Sequence, residues 1–387
     1  MKLKSIGKVK GLKNKRVLVR VDFNVPLKDG KIEDDYRIKA ALPTINYLLT
    51  AGAKIILMAH LGEPEGQIVP KLSLKPVAHR LALLLKKPVN FVPETVGYQA
   101  DKAIKKMVAG DVVFLENLRF NEGEQKDDLK FAKRLAAYGD IYVNEAFSVC
   151  HRKQASISAI KKLLPTYYGL ELVSEVENLD KILKPVKPLI VIMGGAKIST
   201  KAPIISKIYD SADKVLLGGG LANNFFKHLK LEVGKSLVDS DSEVYIKKFF
   251  KGKKLADKIV LPLDVIISDK DKQPRIRKVT DVTKFDTILD IGPETIALFS
   301  SYIKTAQTII WNGPLGKFEE GSFKHGTLAI ATAVAARSTG KAYGLVGGGE
   351  TVEALKETKM EMYVDFVSTA GGAMLAYLGG SPMPGLK

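Results

Sequence analysis

Short apolar runs, mostly β-branched, recur at Val17-Leu18-Val19, Ile55-Ile56-Leu57, Val112-Val113-Phe114 and Ile141-Tyr142-Val143. They return at Leu189-Ile190-Val191-Ile192, Val215-Leu216-Leu217, Thr308-Ile309-Ile310 and Tyr343-Gly344-Leu345-Val346. None alternates apolar with polar residues, so each predicts a strand covered on both faces. Between them lie segments with apolar residues at helical spacing: Tyr36 to Leu49, Leu74 to Leu85, Leu129 to Tyr138, Ser199 to Ser211, Pro293 to Ile303 and Phe323 to Ala336. Strand and helix in alternation predict an α/β fold of parallel sheets flanked by helices.

At 387 residues the chain exceeds what one core usually organises, which predicts two domains. The seam falls between Gly169 and Lys187, where a helical pattern (Leu170, Val173, Val176, Leu179, Leu183) ends in Lys184-Pro185-Val186-Lys187-Pro188. One helix then joins a first domain, residues 1–168, to a second, residues 188–378, with 169–187 as connecting helix and linker. A single eight-stranded barrel is the alternative, since its length range overlaps this one. The polar mid-chain helix and the different glycine content of the two halves speak against it.

Composition keeps the chain among globular proteins, with 46% hydrophobic and 26% charged residues. No apolar run approaches the roughly 20 residues of a spanning helix, and the basic start (Met1 to Lys15) has no apolar stretch behind it. Neither signal peptide nor anchor is expected. The single cysteine, Cys150, rules out an internal disulfide and a multi-thiolate zinc site, and fits a cytoplasmic protein. A formal net charge of +18 points to anionic partners without choosing among nucleic acid, membrane surface and phosphorylated metabolites. Doublets such as Lys86-Lys87, Lys161-Lys162 and Lys253-Lys254 read first as solvated surface. No basic block is interleaved with aromatics in the manner of a single-strand binder, so nucleic acid is not the expected partner, and with no spanning run neither is a membrane.

Glycine clusters mark the second half: Gly194-Gly195, Gly218-Gly219-Gly220, Gly313-Pro314, Gly347-Gly348-Gly349 and Gly371-Gly372, most of them between a strand and a helix. At that edge of a parallel sheet, helix N–H groups can approach phosphate oxygens, which predicts a nucleotide site. Close packing of helix on strand also selects glycine, and at any one cluster the two readings are even. There is no GxxxxGK[ST], since Gly234-Lys235-Ser236 lacks the upstream glycine, and no GxGxxG follows a strand. A Walker ATPase and a standard dinucleotide dehydrogenase both lose ground.

The first half instead places basic and polar residues at strand ends. Arg20-Val21-Asp22-Phe23-Asn24, Arg37, His60, Arg119 and His151-Arg152 recur in that position. Arginine forks suit phosphate and carboxylate oxygens, and several at one sheet edge would hold a small, multiply charged anion. For any one arginine a surface ion pair is the commoner reading, and the repetition shifts it.

At these residues a resemblance becomes specific. Arg20-Val21-Asp22-Phe23-Asn24-Val25-Pro26 resembles a signature of the phosphoglycerate kinase family. So do His60-Leu61-Gly62, Leu115-Glu116-Asn117-Leu118-Arg119-Phe120, Gly194-Gly195-Ala196-Lys197, Gly218-Gly219-Gly220, Asp290-Ile291-Gly292-Pro293, Trp311-Asn312-Gly313-Pro314 and Gly347-Gly348-Gly349, all in family order.

The resemblance implies two Rossmann-like domains, a C-terminal tail (379–387) returning to the first, a monomer, and closure about the connecting helix. It implies that Asp22, Asn24, Arg37, His60, Arg119 and Arg152 bind 3-phosphoglycerate or 1,3-bisphosphoglycerate. It places Mg-ADP or Mg-ATP on the second domain. There Gly195, Gly219 and Gly220 shape the adenine pocket with Leu298 as an apolar wall, and Asn312, Pro314 and Glu319 line the adenosine and ribose. Lys197 and Lys201 meet the phosphates, the loops Gly348-Gly349-Glu350-Thr351 and Thr369 to Gly372 present helix N-termini, and Glu350 serves Mg²⁺. Arg37 and Lys197 are the catalytic candidates, neutralising the migrating phosphoryl group. The acceptor carboxylate is already ionised, so five histidines are no handicap.

Several positions depart from the family pattern. Glu63 stands where arginine is usual, so either it turns outward or a cation such as Lys153 compensates. Gln154 replaces a second histidine, Thr200 an acidic residue and Glu350 an aspartate, while Ala370 replaces the first of three glycines and demands a negative φ. A working kinase is the leading expectation. A nucleotide-binding homologue with weak turnover is the alternative these departures motivate, and a nucleic-acid binder rests on charge alone.

Overall fold

The computed structural model describes residues 3–251, 255–368 and 370–386. The chain divides into two compact units, Met1–Glu177 with Pro382–Lys387, and Asn178–Ser381. The division falls inside the helix Leu170–Leu183.

The first unit is built on a six-stranded parallel sheet in the spatial order Asn90–Val92, Val112–Leu115, Lys54–Met58, Arg16–Arg20, Ile141–Asn144, Thr166–Tyr168. Its central strands are apolar throughout because alternate side chains enter different cores. Val17, Val19, Ile55 and Leu57 pack with Ile38, Ile45 and Leu48 of the helix Tyr36–Thr50, whereas Leu18, Ile56 and Met58 pack with Ala100, Ala132 and Leu135.

The second unit repeats the plan. Six parallel strands run in the order Ile259–Val260, Lys214–Leu217, Leu189–Met193, Thr308–Asn312, Tyr343–Gly347, Phe366–Ser368. One face carries Ile190, Ile192, Ile309, Trp311 and Val346 into a core shared with Phe299, Ile303, Ile330 and Val334 of the covering helices. The strands thus fall into two open sheets, which sets aside the single barrel. All eight predicted strands are present. An antiparallel ribbon absent from the predicted strands, though Val265-Ile266-Ile267 is itself an apolar run, adds Asp264–Ser268, Pro274–Lys278 and Thr287–Ile291 to this unit.

Parallel register brings the strand ends into rows. Arg20 pairs with Met58 on one side and Asn144 on the other, and Asn312 pairs with Met193 and Gly347. The loops that follow leave from the carboxyl edge of each sheet, where ligands of open α/β folds sit.

Candidate active site

On the first unit the edge is organised around a buried arginine. Arg20 donates from Nε to Ser156 Oγ at 3.0 Å, from Nη1 to the Val21 carbonyl at 2.6 Å, and from Nη2 to His60 Nδ1 at 3.0 Å. A guanidinium can only donate, so Nδ1 is the acceptor and His60 carries its proton on Nε2. Burial, reinforced by the guanidinia of Arg20, Arg119, Arg152 and Arg37, holds the His60 pKa well below its usual range. His60 is therefore a neutral donor, and four arginines converge on it electrostatically. Behind Arg20, Ser156 donates from Oγ and N to the two carboxylate oxygens of Glu124 at 2.6 and 3.0 Å. Neither Ser156 nor Glu124 carries a local signal in the sequence.

The other expected residues lie along the same edge. Arg37 Nη1 meets Asp22 Oδ2 at 2.8 Å, and Asn24 Oδ1 accepts from the Gly62 N–H at 2.9 Å. Arg119 donates from Nη1 to the Gly62 carbonyl at 2.7 Å, while its buried Nε and Nη2 have no partner among the described residues. Glu63 is partly exposed but its carboxylate turns to the arginines, and they rather than the exposed Lys153 compensate it. The Glu63 carboxylate lies 2.6 Å from Arg119 Nη1 and 3.2 Å from Arg152 Nη1.

On the second unit a cavity of about 470 Å³ opens at the sheet edge, lined by Gly195, Gly219, Gly220, Pro314, Glu319 and Glu350 of the expected residues. Gly195 (φ +89°) and Gly219 (φ +60°) adopt left-handed backbone that favours glycine, and at the adjoining Gly194 a Cβ would lie 2.0 Å from the Pro314 carbonyl oxygen. Apolar walls come from Phe226, Leu237, Val265, Ile288, Leu289 and Ile291. The last four belong to the antiparallel ribbon and its turns, which is why the sequence reading missed them. Leu298 is not in the lining and packs against the core instead.

The remaining residues stand outside the cavity lining, on the strand Thr308–Asn312 and at the starts of the helices along this edge. Lys197 is exposed at the N-cap of the helix Ile198–Tyr209, whose first N–H donates to Asp239 Oδ2 at 2.6 Å. Lys201, one turn on, is buried and donates to Asn312 Oδ1. Asn312 in turn donates to the Gly347 carbonyl at 2.6 Å. Burial draws the Lys201 pKa down to about 8, against the pull of Glu350. Thr351 Oγ1 accepts from the Gly313 N–H at 2.7 Å, tying that loop to the helix Gly349–Thr358, which Gly348 caps. Thr369 lies outside the described residues. Ala370 has φ −118°, so alanine is accommodated there without strain.

Burial first, then the neighbouring Glu319, raises the pKa of Glu350, while Lys201 opposes. A cation at that carboxylate would relieve the repulsion. Among the described residues no group of three or more His, Cys, Asp or Glu side chains could hold a metal ion.

An arginine-rich edge on one parallel sheet and a glycine-walled cavity at the edge of another define a class, the two-sheet α/β proteins with sites suited to anions. The family model for phosphoglycerate kinase matches residues 7–381. The phosphoglycerate kinase of Geobacter metallireducens is 42% identical over 100% of this chain and 98% of its own. That of Thermosipho africanus is 43% identical over 97% and 95%. Among solved structures, phosphoglycerate kinase from Coxiella burnetii superposes with a TM-score of 0.85 at 36% identity, covering 100% of this chain and 98% of its own. The enzyme from Pyrococcus horikoshii gives 0.86 at 29% identity, covering 99% and 98%. The chain belongs to the phosphoglycerate kinase family. It is accordingly a transferase of glycolysis, passing a phosphoryl group reversibly between 1,3-bisphosphoglycerate with ADP and 3-phosphoglycerate with ATP. The family uses its nucleotides with Mg²⁺. Among the described residues no helix is long and apolar enough to cross a membrane.

Proposed function

We propose that Asp22, Asn24, Arg37, His60, Arg119 and Arg152 bind the phosphoglycerate, and that the cavity and helix N-termini of the second unit bind Mg-ADP or Mg-ATP. The observation that carries this reading is Arg119, a buried guanidinium with two nitrogens lacking a partner among the described residues. Unused donors on a buried cation are costly, and an anion with several oxygens would use them. His60 donates to the substrate from Nε2 without adding charge, and Asp22 keeps the Arg37 fork oriented.

The Gly195, Gly219 and Gly220 backbone walls the base site in this reading, and Pro314 and Glu319 border the nucleoside. Asn312, Gly348, Gly349 and Thr351 hold the edge in shape beneath it. Lys201 and Lys197 face the phosphates, and Glu350 would hold the Mg²⁺ brought with the nucleotide, an ion that would neutralise phosphate charge. Because the acceptor is a carboxylate, no base is needed. What remains is alignment of two anions and neutralisation of the equatorial oxygens, which we assign to Arg37 and Lys197. Closure about the helix Leu170–Leu183, whose residues divide between the units, would exclude water from the transfer.

A coupled assay with 3-phosphoglycerate and Mg-ATP tests the assignment. Arg37→Ala and Lys197→Ala should each lower kcat by on the order of a hundredfold or more. Full turnover in both variants would refute the roles given to these cations.

A further inference from the structure

Glu63 follows the strand Lys54–Met58, and its carboxylate is held by three donors. Oε1 lies 2.6 Å from Arg119 Nη1 and 3.2 Å from Arg152 Nη1, and Oε2 accepts from Gln125 Nε2 at 3.1 Å. The Arg119 side chain is 1% exposed and that of Glu63 is 54% exposed, so the cation is fixed in the protein and the anion is the movable partner.

We infer that Glu63 is an internal competitor for the substrate site: its carboxylate occupies the Arg119–Arg152 pair until an anionic group of the phosphoglycerate displaces it. A tethered carboxylate is present at a high effective concentration, so it divides the empty protein between a competent and an occupied clamp. Apparent affinity falls by the fraction that is competent. The exposed end of the pair limits its strength, and a substrate phosphate brings more charge and three acceptor oxygens to the same forks. Glu63 thereby sets how strongly an anion must bind in order to enter. The inference rests on the reading of Arg119 and Arg152 as substrate ligands.

Calorimetric titration with 3-phosphoglycerate and steady-state kinetics on wild type, Glu63→Gln, Arg119→Ala and Arg152→Ala separate the two ideas. Glu63→Gln removes the charge and keeps the shape. Its Kd and KM for 3-phosphoglycerate should fall by about threefold or more, with KM for ATP unchanged, while both arginine variants bind more weakly. If Glu63→Gln binds as wild type or worse while the arginine variants weaken, the competition is overturned and the clamp stands. If the arginine variants bind as wild type, the clamp reading fails and the inference falls with it.

Discussion

Lys201 is buried on the helix Ile198–Tyr209 beside Asn312, with a pKa drawn down to about 8 from the ordinary 10.5. Between those values the folded state holds fewer protons than the unfolded one, so this group's contribution to stability grows with pH across that window. Its charge is lost over the same rise. Because kcat/KM reports the free enzyme, kcat/KM for Mg-ATP should decline above about pH 8, and Lys201→Arg, charged throughout, should move that decline upward. Profiles of the two proteins that coincide would show that Lys201 does not set the limb. His60 makes the opposite prediction. Held neutral by burial and by its arginines, its imidazole should show no titration near about pH 6.5 in proton NMR, and a shift there would show that His60 takes up a proton in that range.

Between elements, a buried carboxylate joins the first sheet to the helix Leu170–Leu183. Glu145, one residue beyond the strand Ile141–Asn144, accepts from the Thr44 hydroxyl and from the N–H groups of Glu171 and Leu172 at 3.2 and 3.1 Å. Thr44 Oγ1 takes the Leu170 N–H at 2.7 Å. Burial pushes the Glu145 pKa up from 4.5 to about 8, so the folded state holds the extra proton. The stability this group contributes is full below 4.5 and lost as pH rises through about 8. Glu145→Gln cannot ionise and should flatten that decline in urea unfolding, while costing about 1–2 kcal/mol at low pH because a helix N–H loses its acceptor. A slope as steep as wild type would point to another group.

At this scale the interior strands were legible because burial on both faces leaves an apolar run with nothing to dilute it. Strands of two or three residues at sheet edges, such as Ile259–Val260 and Thr166–Tyr168, leave no such mark. Nor does Pro274–Lys278, whose residues are mostly exposed. The site divides on the same line. Glycine clusters and strand-end arginines announce themselves locally, whereas Arg20 with Ser156 and Ser156 with Glu124 join residues 136 and 32 apart, pairings that only the folded sheet creates.

Across the whole molecule the chain leaves the first unit at Glu177 and rejoins it at Pro382. The returning strip is held by backbone and side chain alike. Gly385 N–H donates to the Cys150 carbonyl at 2.9 Å, Asn144 Nδ2 reaches the Gly385 carbonyl at 3.2 Å, Lys161 reaches Pro384 at 2.7 Å and Tyr168 reaches Leu386 at 2.9 Å. Cys150 is buried, and burial pushes its thiol up to about 12, so it should be inert to aromatic disulfide reagents. A Cβ at Gly385 would lie 2.6 Å from Cys150 Sγ. Gly385→Val should lift the strip and speed labelling by on the order of tenfold, and an unchanged rate would mean that the strip does not guard the thiol.

The second unit is thus an insert within the first, and this has a consequence during translation. Residues 178–381 have all left the ribosome before the strip that closes over Cys150 appears. The insert can collapse while its host still has an open seam, so the unit begun first is the one completed last.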